Sequence, residues 1–288
     1  MSDMQNIQWF PGHMTKTRRQ IQDKLPLIDI VAEIIDARRP ASSRNPELAG
    51  IVANKPRIIL LNKCDMADEA VTAAWVKALG NEATAVIPVD CKTGKGLDKF
   101  ISTVKVTLKE RLANLERKRM GGRTLRVMVV GIPNVGKSSF INRMAKSGGA
   151  KVENRPGVTR GNQWFTIERG IEMLDTPGVL WPKFDDQIVG ERLAFTGAVK
   201  DNVVDIEGLA VRLLEFLAEH YSSLLVERYK LENLESFKPH DLLAEIGRKR
   251  SLLIAGGGID TERTAHMLLE EFRNSKIGRI SLEKPKVR

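Results

Sequence analysis

Residues 126–138 read Arg126-Val127-Met128-Val129-Val130-Gly131-Ile132-Pro133-Asn134-Val135-Gly136-Lys137-Ser138. A β-branched, apolar run opens straight into GxxxxGK[ST], and helical spacing of apolar residues follows from Lys137 to Ala145. Strand, glycine loop and helix in that order wrap backbone N–H groups and a helix N-terminus around a phosphate. Lys137 reaches the outer phosphate oxygens and Ser138 offers a hydroxyl to Mg²⁺, while Asn134, Val135, Gly136 and Ser139 complete the cradle. A chance glycine turn would lack the flanking strand and helix. The stretch predicts a nucleoside-triphosphate site on an α/β sheet.

Two further motifs lie outward from this loop. Downstream, Asp175-Thr176-Pro177-Gly178 fits DxxG. There Asp175 would hold Mg²⁺ through a water, and the Gly178 N–H would meet the γ-phosphate. Thr159, in Pro156-Gly157-Val158-Thr159, falls between the two motifs, where a switch threonine completes the Mg²⁺ shell. Upstream, Asn62-Lys63-Cys64-Asp65 fits NKxD and follows the apolar strand pattern Arg57 to Leu61. The Asp65 carboxylate can accept hydrogen bonds from both guanine N1–H and the exocyclic amine; adenine offers no such pair, so selectivity for GTP and GDP follows. Asp90-Cys91-Lys92, one βα unit later, matches the looser base-supporting loop of such sites. Ordinary small GTPases run phosphate loop, switch threonine, DxxG, NKxD. In this chain NKxD comes first, so the sheet must be cut and rejoined by a circular permutation.

The residue after Gly178 is Val179, where Ras-like enzymes carry a glutamine that orients the attacking water. Valine cannot bond water. Either hydrolysis is slow or another group positions the water. His13, within Trp9-Phe10-Pro11-Gly12-His13-Met14, is one candidate, and a structural turn or an RNA contact is its equal alternative. Asn134, inside the phosphate loop, is the candidate for a bound K⁺ that supplies the missing charge neutralisation; closing a turn is its plainer use.

The chain has 288 residues, enough for a GTPase-sized α/β domain and a smaller second one. Ile7 to Lys24 reads as a basic leader, and the strand Ile28 to Ile35 follows. A short helix from Glu47 to Asn54, an amphipathic helix from Glu69 to Leu79 and a strand from Ala85 to Val89 come next. A long helix from Leu97 to Leu115 grades into the charged stretch Glu116 to Arg119. Asn162 to Glu168 and Ile171 to Leu174 form a hairpin pattern. After about Gln187 the strand pattern stops, and Asp205 to Tyr221, His240 to Arg250 and Thr261 to Asn274 repeat at helical spacing. The expected division is a leader over 1–24, a permuted GTPase domain over 25–186 with a linker near 116–124, and a helical RNA- or ribosome-binding domain over 187–288.

The two cysteines, Cys64 and Cys91, exclude a multi-cysteine zinc module and suit a reducing compartment. Both read as small packing residues beside the base. No apolar run approaches the roughly 18 residues of a membrane span, and the first residues lack the pattern of a secretory signal. The net charge of +10 and pI of about 9.6 suit a polyanionic partner such as nucleic acid or an acidic membrane surface.

The reversed motif order resembles that of the circularly permuted GTPases. The specific features are Trp9 to Met14, Asp36-Ala37-Arg38-Arg39-Pro40, then NKCD, GIPNVGKS, PGVT and DTPG. Within that group the chain is similar to the ribosome biogenesis GTPase A family, the YlqF type, over essentially its full length. The resemblance implies a GTP-binding, GTP-hydrolysing factor acting late in assembly of the large (50S) ribosomal subunit. It implies stimulation by the ribosomal particle and by potassium, with His13 acting in hydrolysis. The expected partners are the large-subunit precursor with its 23S-type rRNA and ribosomal proteins, on a cytoplasmic monomer with no membrane contact. A placeholder on RNA that binds GTP and barely turns over is the competing expectation.

Overall fold

A computed structural model of the protein describes residues 13–81, 84–117, 123–147, 163–178, 180, 186–232, 234 and 237–286, with the side chains of 13–17, 115 and 147 left aside. Among these residues the expected mixture of a mostly parallel sheet and helices is present. The sheet carries β1 (Ile30–Asp36), β2 (Arg57–Asn62), β3 (Thr84–Val89), β4 (Leu125–Val130), β5 (Gln163–Glu168) and β6 (Ile171–Asp175). Their spatial order is β3-β2-β1-β4-β6-β5. All neighbours pair in parallel except β5, which turns back antiparallel on β6. The central strands are near-continuous apolar runs because both sheet faces are covered; every residue of β1 is buried.

The chain divides into two compact units, the first comprising 9–182 with 281–288 and the second Lys183–Ile280. In the sheet unit, α1 (His13–Lys24) precedes β1, and α2 (Pro46–Ile51), α3 (Glu69–Leu79), α4 (Asp98–Thr107), α5 (Lys109–Arg117) and α6 (Lys137–Ser147) lie between strands. Their starts are chemically marked. Asn45 caps α2 by accepting from Glu47 N, with Pro46 at the first helical position. Asp68 caps α3 by accepting from Val71 N, and the face bearing Val71 and Trp75 packs on Ile35, Ile59 and Leu61. Phe100 of α4 meets Phe140 of α6 edge-to-face at 5.0 Å between ring centroids.

Three sequence readings need correction here. The long helix expected over Leu97 to Leu115 is broken at Leu108, which is buried and leaves helical geometry. The preceding Val104, Val106 and Thr107 are β-branched and crowd a helix turn. The leader does not end apart from the sheet: Ile21 of α1 is 1% exposed and packs with Ile28, Val31, Met128 and Leu174. A lone isoleucine in a basic stretch carries too little periodicity to announce this burial. Finally, residues 281–286 belong with the sheet rather than with the helices, because Glu283 bonds both the backbone N–H and the hydroxyl of Ser42.

The second unit is helical: α7 (Gln187–Phe195), α8 (Ile206–His220), α9 (Ser222–Tyr229), α10 (Pro239–Lys249) and α11 (Thr261–Arg273). Asp205 caps α8, whose Leu209, Leu213, Leu214 and Leu217 are buried; α10 and α11 pack against it. Gly247 lets α10 and α11 approach, since a Cβ there would stand 2.6 Å from Thr264 Oγ1. Arg273 ties the end of α7 to α11 through the carbonyls of Ala194 and Phe195 and the Asp201 carboxylate. Short α7 and α9 were missed by periodicity, being about two turns each. No helix among the described residues is long and apolar enough to cross a membrane.

Candidate functional site: a guanine-nucleotide cradle at the carboxyl ends of the strands

In open α/β sheets, ligands bind outside the carboxyl ends of parallel strands. The loops after β1, β2, β3, β4 and β6 carry Asp36, the Asn62–Asp65 block, the Asp90–Lys92 block, the phosphate loop and Asp175–Gly178 in that position. The register sets β4 beside β6 with Val129 opposite Asp175. This brings the phosphate loop and DxxG to one edge.

The phosphate loop leaves β4 at Gly131 (φ +153°), passes Asn134 (φ +61°) and Gly136 (φ +100°), and enters α6 at Lys137. Gly136 needs its hydrogen: a Cβ there would strike Asn62 Nδ2. The Lys137 ammonium donates to Ile132 O at 2.8 Å and is buried. Burial pulls its pKa down to about 8, against the upward pull of Asp175. Ser138, Ser139 and Asn134 are exposed and face no burial penalty. At β6, Thr176 is fixed by its hydroxyl donating to Val129 O at 2.6 Å. Gly178 then comes so close that a Cβ would stand 2.8 Å from Pro133 N and 2.9 Å from Lys137 Nζ.

Asn62 joins the base side to the phosphate side. Its Nδ2 donates to Val135 O at 2.6 Å, and its Oδ1 accepts from Cys91 N at 2.9 Å. One side-chain amide thereby fastens three loops. Lys63, in the left-handed region at φ +62°, donates to Asn134 O at 2.8 Å and pairs with Asp36 at 3.0 Å. Burial would raise the fully buried Asp36 carboxyl, but Arg38 and Lys63 beside it hold it well below the usual carboxylate range. Asp65 is exposed beyond this braced turn, with its carboxylate open to solvent. Burial would raise the Asp90 carboxyl, but the bonds it accepts from the Thr93 hydroxyl, Lys92 N and Thr93 N hold it below its usual value. Cys91 is buried; burial, then the nearby Asp90, push its thiol up to about 12, so it is a packing residue at neutral pH.

Asn62, Lys63, Cys91, Asn134, Val135, Lys137 and Gly178 thus converge through named contacts. Thr159 and Val179 lie outside the described residues, and His13 opens α1 with its side chain outside them. Asp36 was missed as a site residue; its signal was a carboxylate ending an apolar strand just before two arginines. The donors fit a hard cation: Ser138 and Asp175 offer oxygens at adjoining ends of α6 and β6, beside an approach too tight for any side chain at 178.

Residues 126–236 match the 50S ribosome-binding GTPase family. The chain is 47% identical over 282 residues to ribosome biogenesis GTPase A of Bacillus licheniformis, covering 97% of this chain and 98% of that one. It is 34% identical over 280 residues to the protein of that name in Thermotoga maritima, covering 97% of this chain and 95% of the relative. The solved structure of GNP-bound YlqF from T. maritima matches with a TM-score of 0.63 at 30% identity, over 95% of this chain and 100% of that one.

Proposed function

The chain belongs to the ribosome biogenesis GTPase A family, and from that premise we propose that it hydrolyses GTP as an assembly factor for the large ribosomal subunit. The observation that carries the reading is the Asn62 amide, which holds an NKxD loop and a phosphate loop in one site despite their reversed order. Asp65 reads guanine. Backbone N–H groups of the loop, with Lys137, Ser138 and Ser139, take the phosphates. Lys137 enters buried and with a lowered pKa; phosphate oxygens stabilise its protonated form. The Gly178 N–H meets the γ-phosphate, which makes that contact sensitive to GTP against GDP.

Ser138, Thr159 and Asp175 would hold Mg²⁺, which when bound neutralises charge on the β- and γ-oxygens. Asn134, exposed at the loop tip, would take K⁺. His13 orients the attacking water in place of the glutamine that Val179 replaces. The surplus of basic residues meets ribosomal RNA, and the protein works as a cytoplasmic monomer.

The test is GTP turnover by the free protein and with purified large-subunit particles, each in potassium and in sodium. Strong stimulation by particles, larger in potassium, is the expected result. Negligible turnover at saturating particles would instead identify a GTP-dependent placeholder on RNA.

A further inference from the structure

We infer that residues Ser281–Glu283 form a strap that positions the guanine-reading loop, so that base recognition depends on the far end of the chain. The inference rests on the assignment of Asp65 as the base reader.

The strap touches both supports of that loop. On one side, Leu282 N donates to Arg38 O at 2.7 Å. Glu283 accepts from Ser42 N at 3.0 Å and from Ser42 Oγ at 2.7 Å. Arg38 in turn grips Asp36 through Nε at 3.0 Å and through a terminal nitrogen at 2.8 Å, and Asp36 pairs with Lys63 of the NKxD turn. Arg39 is fully buried within electrostatic reach of both Asp36 and Glu283. On the other side, Ser281 Oγ accepts from Asp68 N at 3.1 Å, and Asp68 caps the helix that begins four residues after Asp65. Trp75 of that helix donates to Glu283 O at 3.1 Å. Ser281, Leu282 and Glu283 are all at least nine-tenths buried.

Asp65 is therefore held between two anchors, Lys63 and Asp68, and each is tied to the same three-residue segment. A left-handed lysine costs backbone strain that surrounding contacts must over-determine. Without the strap, the 36–43 turn loses Glu283 and the α3 cap loses Ser281, so the exposed Asp65 loop samples more conformations. The pre-organisation that base binding needs is lost. The strap's hydrogen bonds described above fall on the 36–43 turn and on α3, so the first effect of losing it falls on the base side of the site. The segment is the direct continuation of residue 280, the last of the helical unit.

The experiment compares wild type, Glu283→Ala, Ser281→Ala, Ser281→Thr and Asp65→Asn in the full-length protein. Release rates of fluorescent GDP, and competition by GDP, IDP, XDP and pyrophosphate, are measured alongside thermal melting. Glu283→Ala should speed GDP release about tenfold, the usual worth of a buried charge-assisted contact. The GDP-to-IDP preference should narrow, while pyrophosphate binding stays as in wild type. Ser281→Ala should do the same more weakly, and Ser281→Thr should restore wild-type behaviour; this pair decides the matter if Glu283→Ala fails to fold. Unchanged release and base preference in folded variants overturn the strap, as does an equal loss of pyrophosphate binding. Asp65→Asn separates the two levels. A switch toward XDP with inert strap variants refutes only the strap, whereas no switch refutes the base-reader assignment beneath it.

Discussion

The Asn62 side-chain amide lies 2.6 Å from the Val135 carbonyl oxygen, joining positions 73 residues apart. That bond ties the NKxD turn to the phosphate loop. Replacing Asn62 with alanine leaves the buried Val135 carbonyl and Cys91 N–H without this partner, at about 1–3 kcal/mol for such groups. GDP and GTP affinity should both fall, by roughly tenfold or more, as read by equilibrium titration. Equal affinities in mutant and wild type would mean the loops hold their places without it.

Lys137 carries the pH dependence. Its pKa in the free fold is about 8, whereas the unfolded value is near 10.4. Between these values the unfolded chain holds the proton and the fold does not, so this group raises folding stability as pH rises from 8 toward 10.4. Nucleotide binding runs the other way, since phosphate selects the charged lysine. GDP affinity should fall about tenfold per pH unit above 8. Calorimetry in two buffers at pH 8.5 should show proton uptake on binding, and its absence would place the lysine pKa elsewhere.

Gly178 tests the γ-phosphate contact. The backbone there is of a kind any residue adopts, so the effect of alanine is steric: a Cβ 2.8 Å from Pro133 N and 2.9 Å from Lys137 Nζ. Gly178→Ala should weaken GTP-analogue binding more than tenfold and leave GDP within about twofold, because only GTP needs this N–H. A parallel loss for both nucleotides would show a collapsed loop instead.

Asp36 is the buried counter-ion of Arg38 and Lys63. Asp36→Asn strands these cations and should cost about 3–5 kcal/mol of stability, read by denaturant melts at neutral pH. In the wild type this contribution is complete above the unfolded carboxyl value, near pH 4. It is lost as pH falls through the depressed folded value, so the gap between the two proteins should close only in acid. A gap that persists unchanged well below pH 4 would point to another cause.

His13→Ala should lower the particle-stimulated rate by about 10²-fold while nucleotide affinity hardly changes. Single-turnover hydrolysis with and without particles, beside a nucleotide Kd, reads both. If the mutant loses particle binding yet keeps full chemistry at saturation, His13 is a docking residue.

Local sequence was enough where chemistry is written in consecutive residues. GxxxxGKS, NKxD and DxxG each name a loop, and the apolar runs before Asn62, Gly131 and Asp175 name the parallel strands that present them. The motif order alone announced the permutation. Other features were weakly written. Ile21 gave no sign of entering the core, and Leu108 gave little sign of breaking a helix, because burial of one residue depends on what packs against it.

Sequence by itself determined the nucleotide class, the sheet and the family resemblance, since each depends on short-range spacing and backbone preference. Only the tertiary structure decided that Asn62 clasps Val135 and Cys91, that Asp36 is the counter-ion of Lys63, and that Ser281–Glu283 return to Ser42 and Asp68. These contacts join residues from different loops. Their free energy comes from burying paired polar groups together, and the positions that meet are chosen by the packing of the whole sheet rather than by any stretch of chain.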